Sequence, residues 1–166
     1  VSGGNINTDF ALDFLKKNTD ENTLLIAADR GLEFFERTGL VPDIAVGDFD
    51  SLSESGKKFL ETLSNTEIIK LRPEKDDSDT QSAACLAMDR GVKQMMILGA
   101  TGNRVDHLLA NFGLLVLGRE RGCEIILVDP WNYMKLIESG TVLKRSEQFG
   151  KYVSFFSIGG DVPGLT

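Results

Sequence analysis

The sequence predicts an α/β fold in which an open, mostly parallel, Rossmann-like sheet is flanked by helices. Short apolar runs bounded by turn residues alternate with segments of helical period, as they do in βαβ units. The composition, with 42% hydrophobic and 26% charged residues, is ordinary for a globular protein and gives no indication of global disorder. At 166 residues, the chain is long enough to bury a proper core.

Helices are predicted where apolar residues recur at intervals of three or four residues and a capping residue or a glycine marks an end. They cover residues 9–17, 31–38, 53–63, 79–90 and 104–121. Strands are predicted where short apolar runs lie between turn residues. They cover residues 24–28, 44–46, 67–71, 94–98 and 124–128. Because the two kinds of element alternate, residues 1–129 are predicted to form one α/β domain.

The pattern changes after Asp129-Pro130 to short β-like runs at 133–137, 141–144 and 152–158. A second, β-rich region is therefore predicted for residues 130–166. It is expected to be incomplete, because two or three strands leave unpaired edges that an independent β domain covers or closes. Further residues are accordingly expected after Thr166.

The net charge of −7 argues against nucleic-acid binding, since Lys and Arg supply most of the free energy of that binding. A phosphate ligand would need positive charge from a divalent cation held by Asp residues and from backbone amides. The longest apolar stretch, residues 108–117, is too short and interrupted to span a membrane, so no membrane association is expected. Cys85 and Cys123 lie in apolar segments without Cys-x-x-Cys spacing, which predicts reduced thiols in a cytoplasmic protein.

The first candidate site is the acidic run of residues 47–51, GDFDS, which follows a predicted strand. If the segment stays extended, Asp48 and Asp50 project to the same side and offer two carboxylates to one point. Mg²⁺ is typically held by one or two carboxylates, with water and substrate phosphates completing the octahedron. The alternative is purely structural, because Ser51 and Glu54 have the spacing of a capping box at the start of a helix.

The second candidate site is residues 72–79, RPEKDDSD, between a predicted strand and a predicted helix. Three Asp residues in four positions, flanked by Arg72 and Lys75, suit a site in which acids hold a metal while bases face phosphate oxygens. A capping box is again the structural alternative, because Ser78 and Gln81 have the required spacing. Both acidic segments follow strands, at the edge where open parallel sheets bind ligands.

The third candidate site is residues 99–107, GATGNRVDH, which also lead from a strand into a helix. The glycines let the backbone approach a phosphate, the helix N-terminus adds partial positive charge, and Arg104 can pair with phosphate through two hydrogen bonds. The alternative is an ordinary strand-to-helix turn, with His107, the only histidine, on the helix surface. Two further turns, at residues 3–5 and 28–31, would line the same edge.

Four segments together resemble the thiamine pyrophosphokinase family. They are ADRG at 28–31, GDFDS at 47–51, EKDDSDTQ at 74–81 and GATGNRVDHLLAN at 99–111, in the family's order and at compatible spacings. The resemblance covers nearly the whole α/β part of the chain, and the four segments in this order are highly specific. It implies that ATP donates a diphosphate to the hydroxyl of thiamine, with Mg²⁺ required, giving thiamine diphosphate and AMP.

The resemblance also implies roles for individual residues. The acids that resemble the metal-binding acids are Asp48, Asp50 and Asp79, and the expected catalytic set adds Asp76 to these three. The residues that correspond to the nucleotide-contacting part are Asp29, Arg30, Ser51, Ser78, Thr101, Gly102, Arg104, Asp106 and His107. Two of them depart from the family, since Arg30 stands where many members have Gly and Ser78 where Thr is usual.

The family's second domain is a β-sandwich that helps to build the thiamine pocket across a homodimer. The resemblance therefore implies a homodimer in which residues 130–166 begin a β-sandwich-type domain. Much of that domain would lie beyond Thr166, so no thiamine contact is assigned to a residue of this chain.

Two other functions are compatible with the acidic segments. A phosphatase of the haloacid dehalogenase type also carries Asp-x-Asp after a strand, and Asp48 would be its nucleophile. Leu52 stands where that family prefers Thr or Val, however, and the loop at 99–104 would have no role in it. The second alternative is a non-catalytic nucleotide-binding module. The retention of all the acidic residues argues against this alternative.

Overall fold

The computed structural model describes residues 1–72, 77–138, 140–157 and 160–161. Its helices are α1 (Thr8–Asn18), α2 (Leu32–Thr38), α3 (Glu54–Thr62), α4 (Asp79–Asp89) and α5 (Val105–Glu120). Its strands are β1 (Ile26–Ala28), β2 (Ile44–Gly47), β3 (Glu67–Lys70), β4 (Gln94–Leu98), β5 (Glu124–Val128) and β6 (Tyr133–Lys135). Every helix and strand predicted within residues 1–129 is present, with ends that differ by at most two residues. The prediction of alternating helices and strands there is confirmed.

The strands form two hydrogen-bonded groups. β1, β2 and β3 pair in this order and are all parallel. β4 and β5 are parallel, and β6 runs antiparallel to β5 on its other side. The chain is thus a mixed α/β protein whose strands are mostly parallel, as the alternating pattern predicts.

Residues 1–4 join the two groups of strands through backbone hydrogen bonds. The Val1 nitrogen donates to the Ile26 carbonyl at 2.6 Å, and the Ala28 N–H donates to the Val1 carbonyl at 2.9 Å. Val1 thus hydrogen-bonds to the residues on either side of Ala27, which is the pattern of two parallel strands. On the other side, the Ser2 N–H donates to the Leu98 carbonyl at 2.8 Å. Residues 1–4 therefore lie between β1 and β4.

This join requires glycine at two of the positions that face residues 1–4. A Cβ atom on Gly31 would lie 2.1 Å from the carbonyl oxygen of Val1. A Cβ atom on Gly99 would lie 2.4 Å from the carbonyl oxygen of Ser2, and the φ of Gly99 is +73°, which other residues rarely adopt. Any side chain at either position would push the backbones apart.

Side-chain caps and glycines set the helix ends. The Ser78 hydroxyl accepts a hydrogen bond from the Gln81 N–H at 3.2 Å, which confirms Ser78 as the N-cap of α4. For α3 the cap is Ser53, which accepts from the Gly56 N–H at 3.2 Å. The interpretation of Ser51 as the cap of that helix is therefore wrong. The Ser51 hydroxyl instead contacts a carboxylate that is described below.

The core lies on both faces of the strands. On one side the largest fully buried side chains are Leu32, Phe34 and Phe35 from α2, which pack with Phe14 of α1. Another cluster joins α5 to β4 and β5 through Leu114, Leu115, Ile97, Ile125 and Leu127. Burying one such side chain contributes roughly 1.5–3 kcal/mol to stability. The two clusters hold the helices against the strands and so fix where each strand ends.

The region after residue 129 differs from its prediction. β6 forms within the predicted run 133–137, but residues 141–144 and 152–157 are not in strands. The prediction of strands at these two places is wrong for the described part of the chain. A β-prone run becomes a strand only when a neighbour pairs with its backbone, and Tyr152 and Phe156 are instead 91% and 87% exposed. None of the described helices combines the length and apolar character needed to cross a bilayer.

Candidate active site

Acidic and polar residues gather where the parallel strands end. Asp29 follows β1 and Asp48 follows β2, while Asp79 is the first residue of α4, the helix that comes after β3. Thr101 comes after β4, and Asp129 comes after β5. The carboxyl ends of parallel strands share one edge of the sheet, and open α/β proteins bind ligands in the crevice outside that edge. The tertiary structure therefore brings residues far apart in sequence to one edge, which is called the acidic edge below.

Asp29 is the most constrained residue of the acidic edge. Its backbone has a positive φ of +45°, which is uncommon outside glycine. Its Oδ2 atom accepts a hydrogen bond from the Ser51 hydroxyl. Its Oδ1 atom is buried and has no hydrogen-bond partner among the described residues. A buried carboxylate oxygen without a partner is costly unless a ligand or a cation meets it.

The pKa of Asp29 reports its surroundings. Burial raises the pKa most, and the negative charges of Asp79 and Asp48 raise it further. Hydrogen bonds from the Ser51 side chain and the Arg30 backbone act in the opposite direction without cancelling the rise. Asp48 and Asp79 therefore lie close enough to Asp29 to repel its charge, and a cation would relieve this repulsion.

The described residues contain no group of three His, Cys, Asp or Glu side chains arranged around one point as a metal site. Mg²⁺ does not require such a group, because one or two carboxylates usually suffice when water and substrate phosphates complete the shell. The acidic edge provides carboxylates of this kind in Asp48 and Asp79, beside the unpartnered oxygen of Asp29. This donor set fits a hard divalent cation that binds together with a phosphate ligand.

The segment that carries Asp48 and Asp50 is a turn. β2 ends at Gly47, and Phe49 has a φ of +63° while its side chain is buried in the core. The Asp50 N–H then donates to the Asp48 Oδ1 atom at 3.0 Å. The premise that an extended backbone points both carboxylates to one side is therefore wrong, because burial of Phe49 turns the chain. Asp48 is half-buried at the acidic edge, whereas Asp50 is exposed.

The second acidic segment is described only in part. Asp76 lies outside the described residues, so the structure does not test its predicted role. Ser78 caps α4 and Asp79 is the first residue of that helix. The Ser2 and Thr80 hydroxyls are 2.6 Å apart, which ties α4 to residues 1–4. This contact keeps Asp79 near Asp29.

The loop after β4 lies against the turn at residues 3–5. The Gly4 N–H donates to the Gly99 carbonyl at 3.0 Å, and the Asn5 side chain contacts Asn103 at 3.4 Å. A Cβ atom on Gly4 would lie 2.3 Å from that carbonyl oxygen, so the backbones are in direct contact. Gly102 is exposed and lies next to the same turn, with an added Cβ 3.7 Å from the Asn5 nitrogen.

Arg104 and Asp106 pair with each other at the start of α5. The Arg104 Nη2 and Nε atoms lie 2.6 and 3.2 Å from the two oxygens of Asp106. These hydrogen bonds lower the pKa of Asp106. Both side chains are more than 60% exposed, so a phosphate can replace the Asp106 carboxylate as the partner of Arg104. His107, on the next position of the helix, is exposed.

Arg30 adds a second cation beside the acidic edge. Its guanidinium lies 3.6 Å from Glu33 and its side chain is 54% exposed. Glu33 also accepts a hydrogen bond from the Ser53 N–H at 3.0 Å, which anchors that carboxylate to the start of α3. Gly3 packs against Arg30, since an added Cβ would lie 2.9 Å from the Arg30 Cβ. Arg30 is thus positioned beside the turn at residues 3–5.

Two buried polar residues of the site were not singled out by sequence reasoning. Asn111 donates from its side chain to the Ala100 carbonyl at 2.7 Å, and so holds the loop after β4 against α5. The Oδ1 atom of Asp129 accepts from the N–H groups of Trp131 and Asn132, each at 2.8 Å. Burial opposes ionisation of Asp129, but these bonds together with the Asn132 and Thr101 side chains lower its pKa. The sequence signals for Asn111 are its place at the end of the family segment 99–111 and its polar side chain inside an apolar helix.

The fold and this edge define an α/β protein whose acidic and polar residues gather at the carboxyl ends of its strands. Comparison with known proteins gives the family. Residues 15–127 match the catalytic domain of thiamin pyrophosphokinase. The thiamine pyrophosphokinase of Bacillus subtilis (strain 168) is 32% identical over 148 residues, which is 89% of this chain and 69% of that protein. The chain therefore belongs to the thiamin pyrophosphokinase family, as the four sequence segments predict.

Solved structures agree with this assignment. The crystal structure of thiamine pyrophosphokinase from Bacillus subtilis matches with a TM-score of 0.69 and 32% identity, over 81% of this chain and 61% of that one. A thiamin pyrophosphokinase family protein from Enterococcus faecalis matches with a TM-score of 0.61 and 34% identity, over 80% and 61%. The chain thus spans about three fifths of the length of these two solved relatives.

The contact between Ser51 and Asp29 makes a prediction about charge at the acidic edge. Replacing Ser51→Ala removes a hydrogen bond that lowers the pKa of Asp29, so that pKa should rise further. Carboxyl carbon shifts of Asp29, followed by NMR as a function of pH, would measure the change. Ser55→Ala is the matched control, because Ser55 is an exposed serine at the start of α3. An unchanged titration of Asp29 in Ser51→Ala would show that this hydrogen bond does not act on the carboxyl.

Proposed function

We propose that this chain transfers diphosphate from ATP to the hydroxyl of thiamine, giving thiamine diphosphate and AMP. The observation that carries the proposal is family membership over residues 15–127, together with the acidic edge formed by Asp29, Asp48 and Asp79. The Bacillus subtilis relative is a thiamine pyrophosphokinase. The same reaction in this chain would use residues that its own fold gathers at one edge.

Mg²⁺ is the proposed cofactor. Asp48 and Asp79 would hold it, with Asp50 as the third predicted ligand, and the unpartnered Oδ1 atom of Asp29 supports a cation at this place. When bound, the ion neutralises charge on the phosphate oxygens of ATP. Asp50 is the least supported of the three, because it is exposed and does not contribute to the shifted pKa of Asp29.

The chain's own residues would position the two substrates. The Arg104 guanidinium would leave Asp106 and pair with phosphate oxygens of ATP, while the backbone around Gly102 approaches them closely. One carboxylate would accept the proton of the attacking hydroxyl, and the candidates are Asp48, Asp50, Asp76 and Asp79. The remaining proposed nucleotide contacts are Asp29, Arg30, Ser51, Ser78, Thr101, Asp106 and His107. The main contribution of the protein would be to hold the attacking and leaving oxygens in line.

Further proposals concern architecture and assembly. Residues 1–129 would form a Rossmann-like catalytic domain, and residues 130–166 would begin a β-sandwich-type domain that helps to bind thiamine. The active protein would be a cytoplasmic homodimer without nucleic-acid partners. The exposed Val105 and Leu109 side chains on α5, at 66% and 62%, give it an apolar surface available for such an assembly.

The phosphatase alternative, with Asp48 as nucleophile, is not favoured by the comparisons. The non-catalytic alternative is addressed by the same test as the main proposal. That test is AMP release from ATP and Mg²⁺, measured with and without thiamine. Thiamine-dependent AMP is the expected result, whereas phosphate release that ignores thiamine would favour the phosphatase.

Asp79→Asn should abolish most of this activity. The change keeps the shape of the side chain and removes the negative charge that would hold Mg²⁺, so thiamine-dependent AMP release should fall by at least about 100-fold. Asp9→Asn is the matched control, because it makes the same change at an exposed residue in the first turn of α1. Similar losses in both variants, or none in Asp79→Asn, would contradict the proposed role of Asp79.

Arg104→Ala should mainly weaken the use of ATP. Losing a charge-assisted pair with phosphate costs roughly 1.5–3 kcal/mol, so kcat/KM for ATP should fall by about 10- to 100-fold. The matched control is Arg119→Ala, an exposed arginine in the last turn of α5. If both variants kept the activity of the unaltered chain, Arg104 would not contact the nucleotide.

A further inference from the structure

Trp131, the only tryptophan of the chain, lies at the acidic edge and is 80% exposed. It belongs to the turn at residues 129–132, which leads from β5 into the antiparallel strand β6. Tryptophan side chains are highly buried on average, because their large ring is mostly apolar. Phe49, the aromatic residue that follows β2 at the same edge, is buried in the core. Trp131 therefore presents an aromatic face to ligands at this edge.

Hydrogen bonds hold the turn that carries Trp131 in one conformation. The Asp129 Oδ1 atom accepts from the Trp131 and Asn132 N–H groups, and the Asn132 side chain donates to both Asp129 carboxylate oxygens at 3.0 Å. The Asp129 N–H donates to the Asn132 carbonyl at 2.9 Å, which closes the turn. Pro130 restricts the backbone further, because its ring fixes φ. A ring carried on such a turn is already positioned before a ligand binds, which lowers the entropic cost of binding.

The turn at residues 129–132 is joined to the loop after β4. The Thr101 hydroxyl hydrogen-bonds to the Asp129 carboxylate, and Arg104 lies three residues further along the same loop. The strands that precede the turn and the loop, β5 and β4, are parallel neighbours. Such strands lie about 4.8 Å apart. Trp131 is therefore one strand away from the loop that is proposed to hold the phosphates of ATP.

The surroundings of Trp131 favour an uncharged planar ring. The phosphates of ATP offer nothing to the face of an indole, whereas every nucleobase has a flat face that stacks on an aromatic side chain. Thiamine also contains planar rings, but its thiazolium ring is positively charged and is attracted to carboxylates. Asp29 and Asp48 follow β1 and β2, on the other side of residues 1–4 from β4 and β5. The adenine base of ATP is therefore the ring that suits the position of Trp131.

We propose that Trp131 stacks on the base of ATP while the loop after β4 holds the phosphates. This inference rests on the proposed function, because it assigns a contact to the nucleotide of that reaction. Trp131 makes the site select a nucleoside triphosphate over an inorganic polyphosphate that carries the same charged groups. It acts on binding and takes no part in the transfer of the diphosphate.

The fluorescence of Trp131 provides a direct test, because the chain contains no other tryptophan. The full chain is titrated with ATP and Mg²⁺ in the absence of thiamine, and in parallel with inorganic tripolyphosphate and Mg²⁺. ATP should quench the tryptophan emission, whereas tripolyphosphate should leave it unchanged. Equal quenching by the two compounds, or none by ATP, would overturn the proposal.

Variants of Trp131 test the contribution of the ring to affinity. Trp131→Ala should raise the Kd for ATP, measured by calorimetry, by about 10-fold or more. Trp131→Phe keeps a ring and should restore most of the affinity. The matched control is Tyr152→Ala, which removes another exposed aromatic side chain outside the turn and should leave the Kd unchanged. Because Trp131 is exposed and any residue but proline retains its backbone N–H, these variants should fold as the unaltered chain does.

The outcomes separate this inference from the proposed function. If the unaltered chain releases AMP in a thiamine-dependent manner and Trp131→Ala keeps its Kd for ATP, the stacking contact is wrong and the proposed reaction stands. If ATP quenches Trp131 and Trp131→Ala weakens ATP binding, but no thiamine-dependent AMP appears, the stacking contact stands and the proposed reaction is wrong. Quenching by thiamine without ATP, and not by ATP, would assign the ring to the other substrate and overturn the contact with the base.

Discussion

The structure depends on the backbone hydrogen bonds through which residues 1–4 join β1 to β4. This join sets the position of the three strands that carry Asp29 and Asp48 relative to the loop that carries Thr101 and Arg104. It leaves no space for a side chain at Gly31, where the backbones touch. The carboxylates that follow β1 and β2 and the glycine-containing loop that carries Arg104 are thereby brought to one edge, as an anionic ligand that binds with a cation would require.

Placing several carboxylates at one edge has an electrostatic cost. Burial and the charges of Asp79 and Asp48 raise the pKa of Asp29, and the Ser51 hydroxyl offsets only part of this rise. The burial of apolar side chains in the hydrophobic clusters around the strands stabilises the fold against this cost. Such unrelieved repulsion is typical of functional sites, where a ligand completes the interactions that the protein alone lacks.

Most of the α/β fold could be predicted because its signals are local. Apolar periodicity, capping residues such as Ser78 and glycines with positive φ, such as Gly39 and Gly91, each act within a few residues. The predictions failed where the secondary structure of a segment depends on pairing with residues far away in the sequence. The runs at 141–144 and 152–157 have β propensity, but no described strand pairs with them.

The sequence by itself determined the family, the alternation of helix and strand, and the residue types at the candidate site. Motif order and periodicity are properties of the sequence and do not depend on how the chain folds. Only the tertiary structure decided how those residues meet. Burial of Phe49 turns the acidic segment and separates the environments of Asp48 and Asp50. Ser51 contacts Asp29 because β1 and β2 are neighbours in the sheet, 22 residues apart in sequence at this contact. Such contacts follow from strand order and packing, which neighbouring residues in the chain do not encode.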